Sequence, residues 1–421
     1  MIRKNKLLEL FKNINNLLHS DKFKNQHVIS KANFTRKRKL PFDEIITFIL
    51  SIPKKSLTSE ISKYFEVHEL GDYPTKQAFS KARQLISFSA FKHLFSLTTN
   101  IFDFNIFPKK WMQFYPFTID GSTFTLPSNY ETQKEFGALH CSSKLSVCPK
   151  FSFLYDICND IILNVHIGSV SCDANEREHA KLLLDSFSFN KYHYEQSIII
   201  FDRGYPSRDL IYYLNDRNFK FLIRCSSSFL KEVNFAPLGD SLIIDSHKKI
   251  STNLRVIKFI LDSGQTEMLV TNLFSKDITI SDFKNLYFMR WGIETKFNEL
   301  KNRILIEHFS TTKVNGLKQD IYANLILCNI AALFKNISDH EINNELKTKS
   351  LKHDYQTNRS FLLGVLSQKI YLLINFLKAK FIDCILELIF KERSILRPDR
   401  KYERSNFRYW KPLHMNTRTN L

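Results

Sequence analysis

The chain has 421 residues, long for one compact core and suited to two or three domains, and its 43% hydrophobic and 14% aromatic content excludes a disordered chain. Its formal net charge of +19 is concentrated at the ends: residues 1–40 hold eleven Lys/Arg against two acids and residues 391–421 nine against three, fifteen of the excess charges. Basic ends of this kind suit a polyanion, DNA or RNA being the commonest, although a solvated basic tail has the same composition.

Residues 1–110 are expected to be helical and basic. Phe42, Ile45, Ile46, Ile49 and Leu50 repeat at helical spacing after Pro41, and Thr75 caps a second helix, TKQAFSKARQLI, with Phe79, Ala82 and Ile86 inward. With TSEISKYFEV and the turn at Gly71 before it, that helix fits either a DNA-reading helical pair using Lys76, Lys81 and Arg83 or a plain bundle with a wet basic face. The texture changes at Trp111. FYPFTID, STFTL, VCPKFSFLYDIC and IILNVHIG read as strands, NEREHAKLLLDSF as a helix, SIIIFD as a buried strand, SRDLIYYLNDR as a helix capped by Ser207, and FKFLIRCS as a strand. This predicts a mixed α/β sheet buried by helices over 111–230, followed by a β-rich insertion over 231–280. Residues 281–337 carry two long helices, Ser281–Arg303 and Leu317–Lys335; 338–360 read as a polar linker, and 338–421 as a helical, basic C-terminal region. Phe361–Phe390 is interrupted by Lys369, Lys378, Lys380, Asp383 and Glu387, the pattern of a packing helix or pair rather than a membrane span.

Seven cysteines without a CxxC pair argue against a zinc site and a disulfide framework, and predict reduced, mostly buried thiols in a cytosolic protein. The N-terminus lacks the apolar core and cleavage site of a signal peptide. Ten glycines with no Gly-rich phosphate loop argue against ATP-driven chemistry.

The segment SDFKNLYFMRWGIETKFNELKNR is expected to be one helix of about six turns capped by Ser281. At 100° per residue Tyr287, Arg290, Glu294 and Lys301 fall within about 60° of one another, beside a core stripe of Leu286, Met289, Ile293 and Leu300. Taken alone, Arg290 and Glu294 are an i,i+4 pair that reads equally as a surface salt bridge. Asp120 ends the apolar run FTIDGS and Asp202 ends SIIIFDRGY. An acid at the C-terminal end of a buried strand is badly placed for a core and well placed for a cleft, although a turn cap explains either one alone. Glu294 supplies a third carboxylate. Three convergent carboxylates repel one another, and hard divalent cations with oxygen ligands relieve that repulsion.

The ordered set TIDGSTFTLP, FDRGY and Tyr287-x2-Arg290-x3-Glu294-x6-Lys301 resembles the DDE transposases of bacterial insertion sequences, in the insertion-sequence-four family with its YREK signature. The resemblance covers roughly residues 75–335. It implies a ribonuclease-H-like fold, a triad at Asp120, Asp202 and Glu294 holding two Mg²⁺ or Mn²⁺ ions, and Tyr287, Arg290 and Lys301 on the backbone of the transposon end. Arg203 is a further backbone-contact candidate, equally readable as a structural ion-pair residue. It also implies double-stranded DNA partners, terminal repeats and target, a homodimer in the synaptic complex, no membrane, and a bacterial cytoplasmic setting. The sequence departs from hairpin-forming members in having no Trp in the insertion: its tryptophans are Trp111, Trp291 and Trp410, with Phe235, Phe259 and Phe274 as substitutes, so the hairpin step stays open. Two further readings are a DNA-binding product of a decayed element and a nuclease that cuts without joining.

Overall fold

The computed structural model describes residues 2–396 apart from 37, 52–53, 100–108, 142–143, 171–175, 190–193, 248–249 and 350–352. Cys172, Trp410 and the basic segment 397–421 lie outside the described residues, as do the side chain of Cys141 and the start of the helix expected from Asn175. The chain folds as two units, one from the described residues within 1–107, 125–148 and 299–421, the other from those within 108–124 and 149–298.

The second unit is built on a mixed eight-stranded sheet. Its strands are β1 (Tyr115–Thr123), β2 (Lys150–Asp156), β3 (Ile161–Ile167), β4 (Ser197–Phe201), β5 (Lys220–Cys225), β6 (Gly239–His247), β7 (Ile250–Ile260) and β8 (Thr266–Thr271), in the order β3-β2-β1-β4-β5-β8-β7-β6. The first five form an antiparallel β3-β2-β1 meander joined to a parallel β1-β4-β5 set, the ribonuclease-H-like arrangement. All five residues of β4 are buried, as expected of a continuous apolar run covered on both faces. The β-rich insertion extends this same sheet: β8 pairs antiparallel with β5, and β7 and β6 follow.

One strand is longer than its sequence suggests. Gly121 reads as a terminator, yet β1 continues to Thr123, because its antiparallel partner β2 keeps pairing past it, Gly121 opposite Ser152 and Ser122 opposite Phe151. Parallel pairing with β4, by contrast, stops at Thr118 opposite Ile200.

The expected six-turn helix is broken. Thr279, not Ser281, is the N-cap, forming a reciprocal capping box with Asp282, and the first helix is Ile280–Met289. Successive N–H groups of Arg290 and Trp291 then bond back three residues, to the carbonyls of Tyr287 and Phe288, before Gly292–Asn298 resumes the helix. The last turn, Glu299–Arg303, is π-helical and belongs to the other unit. Tightening at one point and widening at another destroys the constant 100° step, so Lys301 does not follow the phase set by Tyr287. Lys296 is buried against Asp160 with 2.5 Å between Nζ and Oδ1.

The first unit is helical, packed around the 35-residue helix Val314–Thr348. That helix is long and apolar enough to cross a membrane by composition, but 94% of its apolar window is buried inside the protein, which marks a core helix. It runs ten residues beyond 338, where a linker was expected, because its polar side chains find partners: Asp339 takes Lys335 at 2.8 Å and the Thr357 N–H and hydroxyl at 2.8 and 2.7 Å. Phe361–Phe390 resolves into two packed helices, Arg359–Asn375 and Ala379–Lys391. Thr75 caps Lys76–Arg83 as expected, accepting from the Ala78 N–H. Arg83, however, does not face solvent. Only 1% exposed, it donates to Gln319, Ser310 and the Gly316 carbonyl and pairs with Asp320 at 2.9 Å. Arg83 is therefore a buried structural cation, unavailable to DNA, whereas Lys76 and Lys81 are exposed. Of the five described cysteines Cys225 and Cys328 are buried, Cys148 and Cys158 half-buried and Cys384 exposed.

Candidate active site

Parallel pairing between β1 and β4 sets the site. Thr118 lies opposite Ile200, and each strand carries an aspartate two residues further on, at Asp120 and Asp202. Neighbouring strands lie about 4.8 Å apart, so the two acids leave the paired ladder at the same level on adjacent strands. Each is oriented by a glycine N–H: Asp120 Oδ1 accepts from Gly121 and Asp202 Oδ1 from Gly204, both at 2.8 Å. Side chains at those two glycines would meet close neighbours. A Cβ on Gly121 would lie 3.1 Å from the Lys150 side chain, and one on Gly204 would lie 3.2 Å from both Asp202 Oδ1 and Glu176 Oε2.

The helical segment beyond Met289 brings in the third acid. Arg290 Nη2 donates to Glu294 Oε1 at 2.8 Å, and Nη1 stands 3.5 Å from Asp120 Oδ2, so one guanidinium bridges both carboxylates. The Arg290 side chain is only 6% exposed, against 42% for Glu294, which makes this more than a solvent salt bridge. Arg290 Nε is buried without a hydrogen-bond partner among the described residues, and the buried Tyr287 hydroxyl lies by Arg224. Tyr287 is 6% exposed and its ring joins the core cluster with Phe283 and Leu286, so the separate core and working faces expected of this helix merge here. Arg203 is exposed in the turn after β4. Lys301 is half-buried in the π-helical turn of the other unit. Among the candidate stacking aromatics, Phe235 and Phe274 are exposed and Trp291 is 37% exposed, while Phe259 is 7% exposed and too enclosed to stack on a base.

Acid crowding shows in the protonation equilibria. Burial, with added repulsion from Asp202 and Glu176, pushes the Asp120 carboxyl up to about 7, although the Gly121 N–H and Arg290 oppose the shift. Directly after Asp202, Tyr205 is 0% exposed and its hydroxyl has no partner among the described residues. Burial and then the charges of Asp120, Glu176 and Asp202 push that hydroxyl far above the ordinary tyrosine range. Sequence reasoning quoted Tyr205 only as part of FDRGY and passed over Lys150 and Glu176. Glu176 opens the helix Glu176–Asp185, which buries Ala180, Leu183 and Leu184.

The donor set suits a hard divalent cation. Asp120, Asp202 and Glu294 offer carboxylate oxygens, and the Tyr205 hydroxyl is a buried polar atom without a partner among the described residues. As the side chains stand, Arg290 occupies Asp120 and Glu294, and no group of three or more His, Cys, Asp or Glu among the described residues is arranged around a metal position. Arg290 engages one oxygen each of Asp120 and Glu294.

Residues 112–330 match the family described as "Transposase DDE domain", a span of just over half the chain. No curated protein is significantly similar in sequence. Among solved structures the fold is similar, with a TM-score of 0.46 and 12% identity, to the cryo-EM structure of the piggyBac transposase synaptic complex with hairpin DNA, over 90% of this chain and 82% of that one. Enzymes of the DDE family cut and transfer DNA strands and generally use divalent metal ions, and the match over 112–330 contains Asp120, Asp202 and Glu294. The chain belongs to the DDE-domain transposases.

Proposed function

We propose that the chain is a cut-and-paste DNA transposase of the insertion-sequence-four type, in which Asp120, Asp202 and Glu294 hold two Mg²⁺ or Mn²⁺ ions. The observation that carries the reading is the equivalent register of Asp120 and Asp202 on adjacent parallel strands, with Glu294 joined to Asp120 through Arg290. When bound, the cations would activate the attacking oxygen and stabilise the leaving one, first at the transposon end and then at target DNA.

The chain's own groups do the rest. Gly121 and Gly204 N–H groups fix the rotamers of the two aspartates. Arg290 exchanges its carboxylate partners for a backbone phosphate, presenting a bidentate guanidinium whose Nε already lacks a partner. The Tyr287 hydroxyl donates to a second phosphate oxygen, and Lys301 and Arg203 add charge along the backbone. None of these contacts reads sequence. Exposed Lys76 and Lys81 in the helical 1–110 region and the basic C-terminal region supply wider backbone affinity, with a homodimer pairing two ends. A bacterial cytoplasmic setting completes the proposal.

Asp202→Asn should abolish cleavage of a transposon-end fragment and leave end binding within about twofold of wild type. Retained cleavage, or loss of end binding, would overturn the triad. All three carboxylates and the Tyr, Arg and Lys of the signature are present, which favours the active enzyme over a decayed, DNA-binding product.

A further inference from the structure

Beside the triad lies a second ion pair that the reaction as described does not use. Glu176, the first residue of its helix, pairs through Oε1 with Lys150, the first residue of β2. Its other oxygen, Oε2, faces Gly204: the position a Cβ would take there lies 3.2 Å from Glu176 Oε2 and the same distance from Asp202 Oδ1. Two carboxylates thus converge on a point that only the absence of a side chain keeps open. The Lys150 stem fills the corresponding space over Gly121, so the pair spans from the Asp120 strand to the Asp202 turn.

Two independent features make this more than a surface salt bridge. Tyr205 Oη is fully buried and unpartnered among the described residues, in the field of Glu176, Asp202 and Asp120 together. Lys150 and Glu176 are also themselves withdrawn, at 23% and 28% side-chain exposure. Like-charge convergence of this kind is relieved by a cation, a role the Lys150 ammonium fills at Glu176.

We propose that Glu176 is a fourth carboxylate of the site, binding a divalent cation jointly with Asp202, and that Lys150 is the counter-ion that holds Glu176 until the cation displaces it. The proposal rests on the metal-dependent reading above and adds to it. When bound, the cation would be held by carboxylate oxygens of Glu176 and Asp202, Lys150 would give up Glu176, and the Tyr205 hydroxyl would donate to one of the carboxylates. No proton or electron changes hands.

The test is Mn²⁺ binding to the full-length, DNA-free protein, read by electron paramagnetic resonance of free Mn²⁺, with thermal melting of each variant as a folding control. Asp202→Asn should remove the tight binding, Glu176→Gln should weaken it by about 10- to 100-fold, and Lys150→Met should strengthen it because the competing cation is gone. If wild type and Asp202→Asn bind alike, the metal-dependent reading of the site fails. If Asp202→Asn loses binding while Glu176→Gln binds as wild type, the fourth-ligand proposal alone fails. Should Glu176→Gln not fold, Lys150→Met decides: tighter Mn²⁺ binding supports the proposal, and unchanged or weaker binding overturns it.

Discussion

Asp120→Asn should stabilise the metal-free protein above neutral pH while abolishing its chemistry. The reasoning starts from burial: the Asp120 side chain is 16% exposed, its neighbours Asp202 and Glu176 are negative, and its carboxyl is pushed up to about 7. In the unfolded chain an aspartate titrates near 3.9. Below about pH 4 the group is protonated in both states and contributes no pH-dependent term. Between about 4 and 7 the unfolded chain releases the proton and the folded one keeps it, so stability falls as pH rises. Above about 7 the whole penalty is present, at most about 4 kcal/mol for a shift of roughly three units. Asparagine cannot ionise and escapes it, less whatever Arg290 gained from the carboxylate at 3.5 Å. Thermal melting in EDTA at pH 5 and pH 8 reads the effect: the gain of Asp120→Asn over wild type should be larger at pH 8. Equal effects at the two pH values, or a destabilised variant at pH 8, would refute the electrostatic description.

Arg83→Ala should cost about 3–5 kcal/mol, because it leaves the Asp320 carboxylate buried without its cation, and lower the melting midpoint by roughly 6–15 °C. Lys76→Ala and Lys81→Ala, on the same helix but exposed, should leave the midpoint within about 1 °C and weaken end binding. Lys301→Ala should weaken DNA binding and reduce the slope of log affinity against log salt by about 1, measured by fluorescence anisotropy; an unchanged slope removes it from the backbone contacts. Gly204→Ala should press on the two carboxylate ends 3.2 Å away and lower Mn²⁺ affinity by roughly tenfold or less, with little change in melting.

Much of the site was legible because it depends on strand-end chemistry. A buried apolar run closing on an acid, as in SIIIFD, has few uses other than a cleft, and short apolar runs alternating with helices point to a mixed sheet buried by helices, though not to the order of its strands. Local caps at Thr75 and Ser207 were equally readable, since each depends on three or four adjacent residues. What sequence periodicity missed depends on partners far along the chain. Gly121 stops neither β1 nor its pairing because β2 is there to accept it. Arg83 reads as a surface cation until Asp320, 237 residues later, is brought against it. The break at Arg290 and the π-turn at Glu299 are likewise invisible to a 100° wheel, and Glu299 is held by Arg359 and Cys328, both distant in sequence. Glu176 and Lys150 escaped notice for the same reason: each is unremarkable alone and becomes a site residue only through Gly204, Gly121 and Tyr205.

The most direct test is cleavage of a labelled DNA fragment carrying the element's own ends, with Mg²⁺, Mn²⁺ or EDTA, by wild type and Glu294→Gln. Nicking at the transposon end that requires the divalent ion and is lost in Glu294→Gln is the expected result. Binding of the ends by the wild type with no cutting under any metal condition would contradict it and assign the chain to DNA occupancy without catalysis.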